Sequence, residues 1–161
     1  MNEEYIKASL VSINVSSGGG VPKFPLDKAA IRKSGIDGDS QADKKHHGGP
    51  TKAVCIYSDE IIAFLKDEGH PINRGTTGEN LTISGIDWDN LSIEDTIEVG
   101  EVILRLTMPA TPCNTIKNSF IEGDFNRISH KKFPGFSRWY ASVEKEGVVK
   151  QGDIVKLIQN S

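Results

Sequence analysis

The sequence predicts a mainly β protein, a closed or nearly closed β-barrel with one or two short peripheral helices. Three observations point there. Sixteen glycines and seven prolines break the 161 residues into short pieces. Those pieces are rich in β-branched residues, as strands joined by tight turns are. One stretch carries a clear helical pattern, too little to cover a large open sheet, and closing the barrel removes the exposed edges that so many strands would leave.

Taken in order, "YIKASLVSINV" (5–15) alternates Ile6, Ala8 and Leu10, then changes phase to Val11, Ile13 and Val15. A phase change within one strand predicts a bulge or bend, as at a barrel corner. "SSGGGVPKFP" (16–25) reads as a flexible loop and "AAIRKSGI" (29–36) as the next strand, turning at Gly38-Asp39. "SDEIIAFLKDEG" (58–69) is the helix: Ser58 caps it, Asp59 and Glu60 favour the positive end of its dipole, and Gly69 ends it. Its apolar residues Ile61, Ile62 and Leu65 share one face. "ENLTISGI", "TIEV" and "VILRLTM" follow as strands, the last two at hairpin spacing across Gly100-Glu101. "SRWYASV" and "DIVKLIQ" are the closing strands.

The length fits a single domain over 1–161, and no compositional break or fixed-period repeat divides it. A chain of this size buries about 68–70% of its unfolded surface, enough for a core without staples. The net charge of −3 supplies no general attraction to a polyanion, so neither nucleic acid nor a membrane surface is the expected partner, local patches such as Lys131-Lys132 aside. No stretch approaches the ~20 apolar residues of a membrane span. Two cysteines make no disulfide framework, and "MNEEYIKASL" lacks the basic start and apolar run of a signal peptide. The expectation is a cytoplasmic protein with both thiols free.

Two motifs carry chemistry. In "HHGGPTKAV" (46–54), Gly48 and Gly49 let the backbone approach a ligand closely, and His46, His47 and Lys52 add an imidazole and an ammonium. Exposed N–H groups beside a cation suit a phosphate, although the spacing is not that of the phosphate loop. The adjacent histidines are no simple metal pair, because neighbours in a strand point to opposite faces. "MPATPCNTIKNSF" (108–120) places Cys113 where a strand stops and a helical turn can begin. A sulfur facing the N-terminal end of such a turn is a better nucleophile or soft-metal ligand. Cys55, in "AVCIY", reads instead as a buried, inert filler. A cysteine hydrolase with His47 as base has no local signature here, and no G-x-G-x-x-G follows a strand.

Together these segments resemble the MOSC domain, the family named for the C-terminal domain of molybdenum cofactor sulfurases. The resemblance rests on "GIDGD", "HGG" with "KAV", "GENLT", Pro112-Cys113, "RWYASV" and a late Gly152-Asp153, and runs from about Ala30 to Leu157. It implies a barrel similar to the small barrel domain of pyruvate kinase, with a molybdenum cofactor of molybdopterin type at one end. Cys113 would be the catalytic residue and metal ligand. His47, Gly48, Gly49 and Lys52 would lie near the pterin phosphate, and Glu79 and Asn80 would shape the pocket. Stand-alone relatives look like reductases of N-hydroxylated compounds, such as hydroxylaminopurines and amidoximes, so a small N-hydroxylated substrate and a separate electron-donor protein are implied. The alternative is a carrier of the cofactor, or of a sulfur on Cys113, without turnover; a third reading is a barrel that has lost the cofactor. The chain departs from the family at Ala110, where a pattern like Pro-Arg-x-Pro-Cys has arginine, which removes a cation from the pocket or shifts the anion contact to another residue such as Arg127 or Arg138. It departs again at Thr77, where an aromatic is usual, and at Glu94-Asp95, which replaces a Gly-Asp turn.

Overall fold

The computed structural model describes residues 8–40 and 49–160. Its strands are β1 (Ala8–Val15), β2 (Phe24–Leu26), β3 (Lys28–Arg32), β4 (Gly35–Ile36), β5 (Val54–Ser58), β6 (Leu81–Ser84), β7 (Thr96–Val99), β8 (Val102–Pro109), β9 (Trp139–Lys145), β10 (Gly147–Lys150) and β11 (Ile154–Ile158). The helix α1 (Asp59–Asp67) and several short 3-10 turns complete the described residues. Seven strands run in the order β11-β7-β8-β9-β5-β6-β1, and β1 returns to pair with β11, closing the barrel the sequence predicts. Strand β2 adds to the far end of β1, while β3, β4 and β10 form a separate small sheet.

The phase change in β1 appears as a register shift between Leu10 and Ser12 where it pairs with β6. This lets Leu10, Ile13 and the rest of an aliphatic interior, including Ile56, Leu81, Ile83, Ile97, Leu104 and Leu106, stay fully buried. The hairpin across Gly100-Glu101 forms as expected, with Val99 opposite Val102. In α1, the Ser58 hydroxyl accepts from the Ile61 N–H at 3.2 Å. At its other end the Gly69 N–H donates to Lys66 and the His70 N–H to Leu65, the two bonds of a glycine-terminated helix. The helix links β5 to β6, which lie side by side and parallel.

Three segments differ from the sequence reading. The stretch 29–36 is a hairpin rather than one strand, because Gly35, at φ +130°, reverses the chain and sets Ile36 opposite Ile31. Between the two closing strands, where the sequence reading assigns none, 147–150 form β10, which pairs with β3 along four residues and buries Val149. The loop 16–25 becomes a strand at Phe24, where it gains β1 as a partner.

Candidate functional site

Strand β8 carries the chain up the barrel wall to Pro109, after which the backbone runs irregularly to Cys113. Cys113 is extended, at φ −142° and ψ 175°, and heads the 3-10 turn Asn114–Ser119. Its carbonyl accepts from the Ile116 N–H at 3.2 Å, and its Sγ lies 2.9 Å from Thr115 Oγ1. The half-buried sulfur faces a cavity of about 590 Å³ at this end of the barrel. The turn predicted after Cys113 is therefore present, and it places the thiol at a cavity wall.

Cys55 is buried, as expected of a filler, yet it lines the same cavity, beside Met108 and Tyr140. Burial pushes its thiol up to about 11, so it stays protonated at neutral pH. The phenol of Tyr140 is raised by the same cause.

Among the described residues, three cations meet the cavity. Lys23 donates to Asp39 at 2.6 Å in an ion pair whose side chains are 8% and 6% exposed. The same carboxylate accepts from the Asn80 amide at 2.9 Å and from the Ser16 N–H at 2.8 Å. Lys52 Nζ sits 5.4 Å from the centre of the Tyr140 ring, within cation–π range. Arg138, 6% exposed, donates from Nη1 to the Thr77 carbonyl at 2.6 Å. Its Nε is buried with no hydrogen-bond partner among the described residues, an arrangement that costs about 1–3 kcal/mol where no partner is supplied. Arg127 lies elsewhere: it forms a two-pronged pair with Glu68 at 3.0 and 3.1 Å and stacks on Phe133 and Phe136.

Of the residues singled out from the sequence, Cys113, Lys52, Asn80, Thr77, Arg138 and the filler Cys55 line the cavity. The Asn80 side chain is already engaged: Oδ1 accepts from the Cys55 N–H, while Nδ2 donates to Asp39 and to the Asn14 carbonyl. Asn80 thus holds the wall together. Glu79 is not among the lining residues. It is wholly buried, and its carboxyl accepts from the Thr77 hydroxyl at 3.1 Å and the Thr82 hydroxyl at 3.4 Å. Burial raises its pKa, opposed by backbone hydrogen bonds, the Thr77 hydroxyl and the Arg138 charge. Gly49 is exposed, at φ +80°, and heads the 3-10 turn Pro50–Lys52 without lining the cavity. His46, His47 and Gly48 lie outside the described residues.

Sequence reasoning missed Lys23, hidden in a stretch whose glycines suggested a loop, and the cavity positions of Cys55 and Tyr140. The signal for Lys23 was Asp39 at the end of "GIDGD", an acid that requires a cation once buried.

A family model described as MOSC domain matches residues 43–156. The chain belongs to the MOSC domain family. This MOSC domain is 31% identical to the uncharacterized protein YflK of Bacillus subtilis over 141 residues, covering 86% of the chain and 63% of YflK. It is 28% identical to the protein YiiM of Escherichia coli over 143 residues, with the same coverage of 86% and 63%. The crystal structure of the latter superposes with a TM-score of 0.70 at 20% identity, covering 96% of this chain and 71% of that one. A protein named "Reductase" from Gibberella moniliformis is 27% identical over 132 residues, which are 78% of this chain and 23% of the relative. The chain thus spans less than two thirds of the curated relatives it matches. Among the described residues no helix is long and apolar enough to cross a membrane.

Proposed function

We propose that this MOSC domain binds a molybdopterin-type molybdenum cofactor in its cavity, with Cys113 as thiolate ligand, and reduces small N-hydroxylated compounds of the hydroxylaminopurine or amidoxime type. The observation that carries this reading is a soft sulfur donor in the wall of a cavity that also receives Lys23, Lys52 and Arg138.

The residues fit such a group. Among those described, no trio of His, Cys, Asp or Glu side chains can hold a bare ion, so a metal bound at Cys113 would bring most of its donors with it. The cationic wall suits the phosphate of a pterin, and Arg138 Nε marks a guanidinium that the described residues leave under-satisfied. The name of the Gibberella relative is consistent with reduction.

When bound, the cofactor supplies two electrons, which with two protons turn an N–OH group into N–H and water. The chain's own residues bind and orient. Pro112 and the turn after Cys113 fix the sulfur toward the cavity, and Thr115 Oγ1 is within hydrogen-bonding distance of it. Lys52 would meet the phosphate from the cavity wall. Asn80 keeps the strand-end wall in register, and Glu79 supports the Thr77 segment from beneath. Electrons would come from a separate donor protein, in the cytoplasm.

The test is expression in a cofactor-competent bacterial host, with molybdenum and pterin measured per chain for the parent and for Cys113→Ala. Stoichiometric molybdenum in the parent, lost in the folded variant, is expected; equal metal in both would remove Cys113 from the metal. The loaded parent should then consume a hydroxylamine substrate with an artificial electron donor. Loading without turnover would instead mark a carrier.

A further inference from the structure

We infer that Arg138 forms an oxyanion subsite in the cavity wall, its guanidinium taking the phosphate or an equivalent oxyanion group of the bound ligand. The inference shares with the proposed function the cavity as ligand site, and it does not depend on the metal.

The argument is one of charge balance. Lys23 is answered by Asp39, and Lys52 lies over an aromatic face. Arg138, 94% buried by the complement of its 6% exposure, has no carboxylate hydrogen-bonded to it among the described residues. Its side chain makes a single hydrogen bond there, to the Thr77 carbonyl, and Nε has none. The nearby acid, Glu79, spends its carboxyl on the Thr77 and Thr82 hydroxyls. A guanidinium carries five N–H donors in a planar fork that matches a phosphate edge. One held in place by a backbone carbonyl, lining a cavity and hydrogen-bonded to no carboxylate among the described residues, is arranged to receive an anion from outside.

Its position adds to this. Arg138 directly precedes β9, and its carbonyl accepts from the Ala110 N–H at 2.8 Å across the pair with β8. The guanidinium thus springs from the backbone opposite position 110, on the chain leading to Cys113. An oxyanion at Arg138 and a thiophilic centre at Cys113 would belong to one ligand in one cavity. The cation absent from Ala110 has a cross-strand counterpart at Arg138.

The experiment uses protein from a host unable to make the molybdenum cofactor. Inorganic phosphate, and separately molybdate, is titrated into the parent, Arg138→Met and Arg138→Lys, with binding followed by calorimetry and by the arginine Nε–H resonances. The expected result is saturable binding by the parent that shifts the Arg138 Nε–H signal. Arg138→Met should bind roughly 10- to 100-fold more weakly, the loss of a charge-assisted hydrogen bond. Arg138→Lys, which keeps the charge without the fork, should fall between. Retained near-ultraviolet dichroism checks the fold, and the lysine variant serves if the methionine variant is unstable. Unaltered binding in a folded Arg138→Met, or no binding of either anion by the parent, overturns the subsite.

A second arm separates the sources of the oxyanion. In a cofactor-competent host, loss of pterin from Arg138→Met assigns the anion to the cofactor's phosphate. Retained pterin with lost phosphate binding assigns it to a free oxyanion or an anionic substrate, and the subsite stands in either case. Equal molybdenum in the parent and Cys113→Ala would overturn the metal assignment and leave the subsite intact.

Discussion

Cys55 and Cys113 differ in burial, and burial sets what each thiol can do. The Cys55 thiol ionises from about 9.0 in an unfolded chain and from about 11 in the barrel. Folding therefore keeps a proton on Cys55 through that window, so stability is complete below the lower value and declines as pH rises toward the upper one. The decline attributable to Cys55 is about 2–3 kcal/mol. Cys55→Ser removes it, so denaturant unfolding of the variant should show a shallower loss of stability between pH 9 and 10 than the parent. The tyrosines Tyr57 and Tyr140 ordinarily ionise near 10.0 and are raised by burial too, which makes the lower part of the window the informative one. Parallel slopes would show that Cys55 does not resist ionisation. The sequence made Cys55 legible as a buried residue, because apolar neighbours on both sides predict burial. Its place at the cavity depended on which face of β5 looks toward Tyr140 and Met108, and that is fixed by strand pairing far along the chain. Glu94 is the reverse case: the sequence marked it as standing where glycine is usual, and it adopts φ +78°.

Among the connecting segments, 20–23 and 75–78 approach each other closely in the cavity wall. Gly75 sits at φ +83°, and a Cβ there would lie 2.5 Å from the Lys23 carbonyl oxygen and 3.2 Å from the Asn14 side chain. The Lys23 N–H also donates to the Gly75 carbonyl at 2.9 Å, so neither backbone can retreat without breaking that bond. Gly152 supplies a control: it has a similar φ of +93° with nothing within 4 Å of its added Cβ. Gly152→Ala should cost about 1 kcal/mol, the strain of a left-handed backbone. Gly75→Ala should cost at least about twice that and displace Lys23, read as a larger fall in the denaturant midpoint. Equal losses would show that the 75–78 loop yields freely. Elements whose signals are local were legible in the sequence: α1 from its cap and apolar face, the Gly100 hairpin from its spacing, and the β1 bulge from its change of phase. β10 and the β3–β4 hairpin were not, because their assignment depends on each other's partnership and short strands carry little pattern of their own.

For the molecule as a whole, closure of the barrel is what couples the site to stability. Among the described residues, direct ladder pairing between β1 and β11 joins Ala8 with Val155 and Ser9 with Ile154, and the Leu10 N–H to Asp153 and Gly152 N–H to Leu10 bonds, at 2.9 and 2.7 Å, extend it. The cavity draws its wall from β5, β8, β9 and the segments before β2 and β6, so its ligand would touch parts that separate when the barrel opens. A ligand that binds only the closed barrel stabilises it by mass action, by about 2.7 kcal/mol when present at 100 times its dissociation constant. For a chain of this size that is a rise of roughly 5–10 °C in Tm. Protein purified from a cofactor-competent host should therefore melt higher than the same protein from a cofactor-deficient one, by about that margin. Cys113→Ala should melt at nearly the same temperature from both hosts. Differential scanning calorimetry on the four samples makes the comparison, with molybdenum content measured on each. A loaded parent that melts no higher than the empty one would mean that the cofactor rests on one rigid wall without bridging strands, and the cavity would then be a surface for docking rather than a site completed by closure.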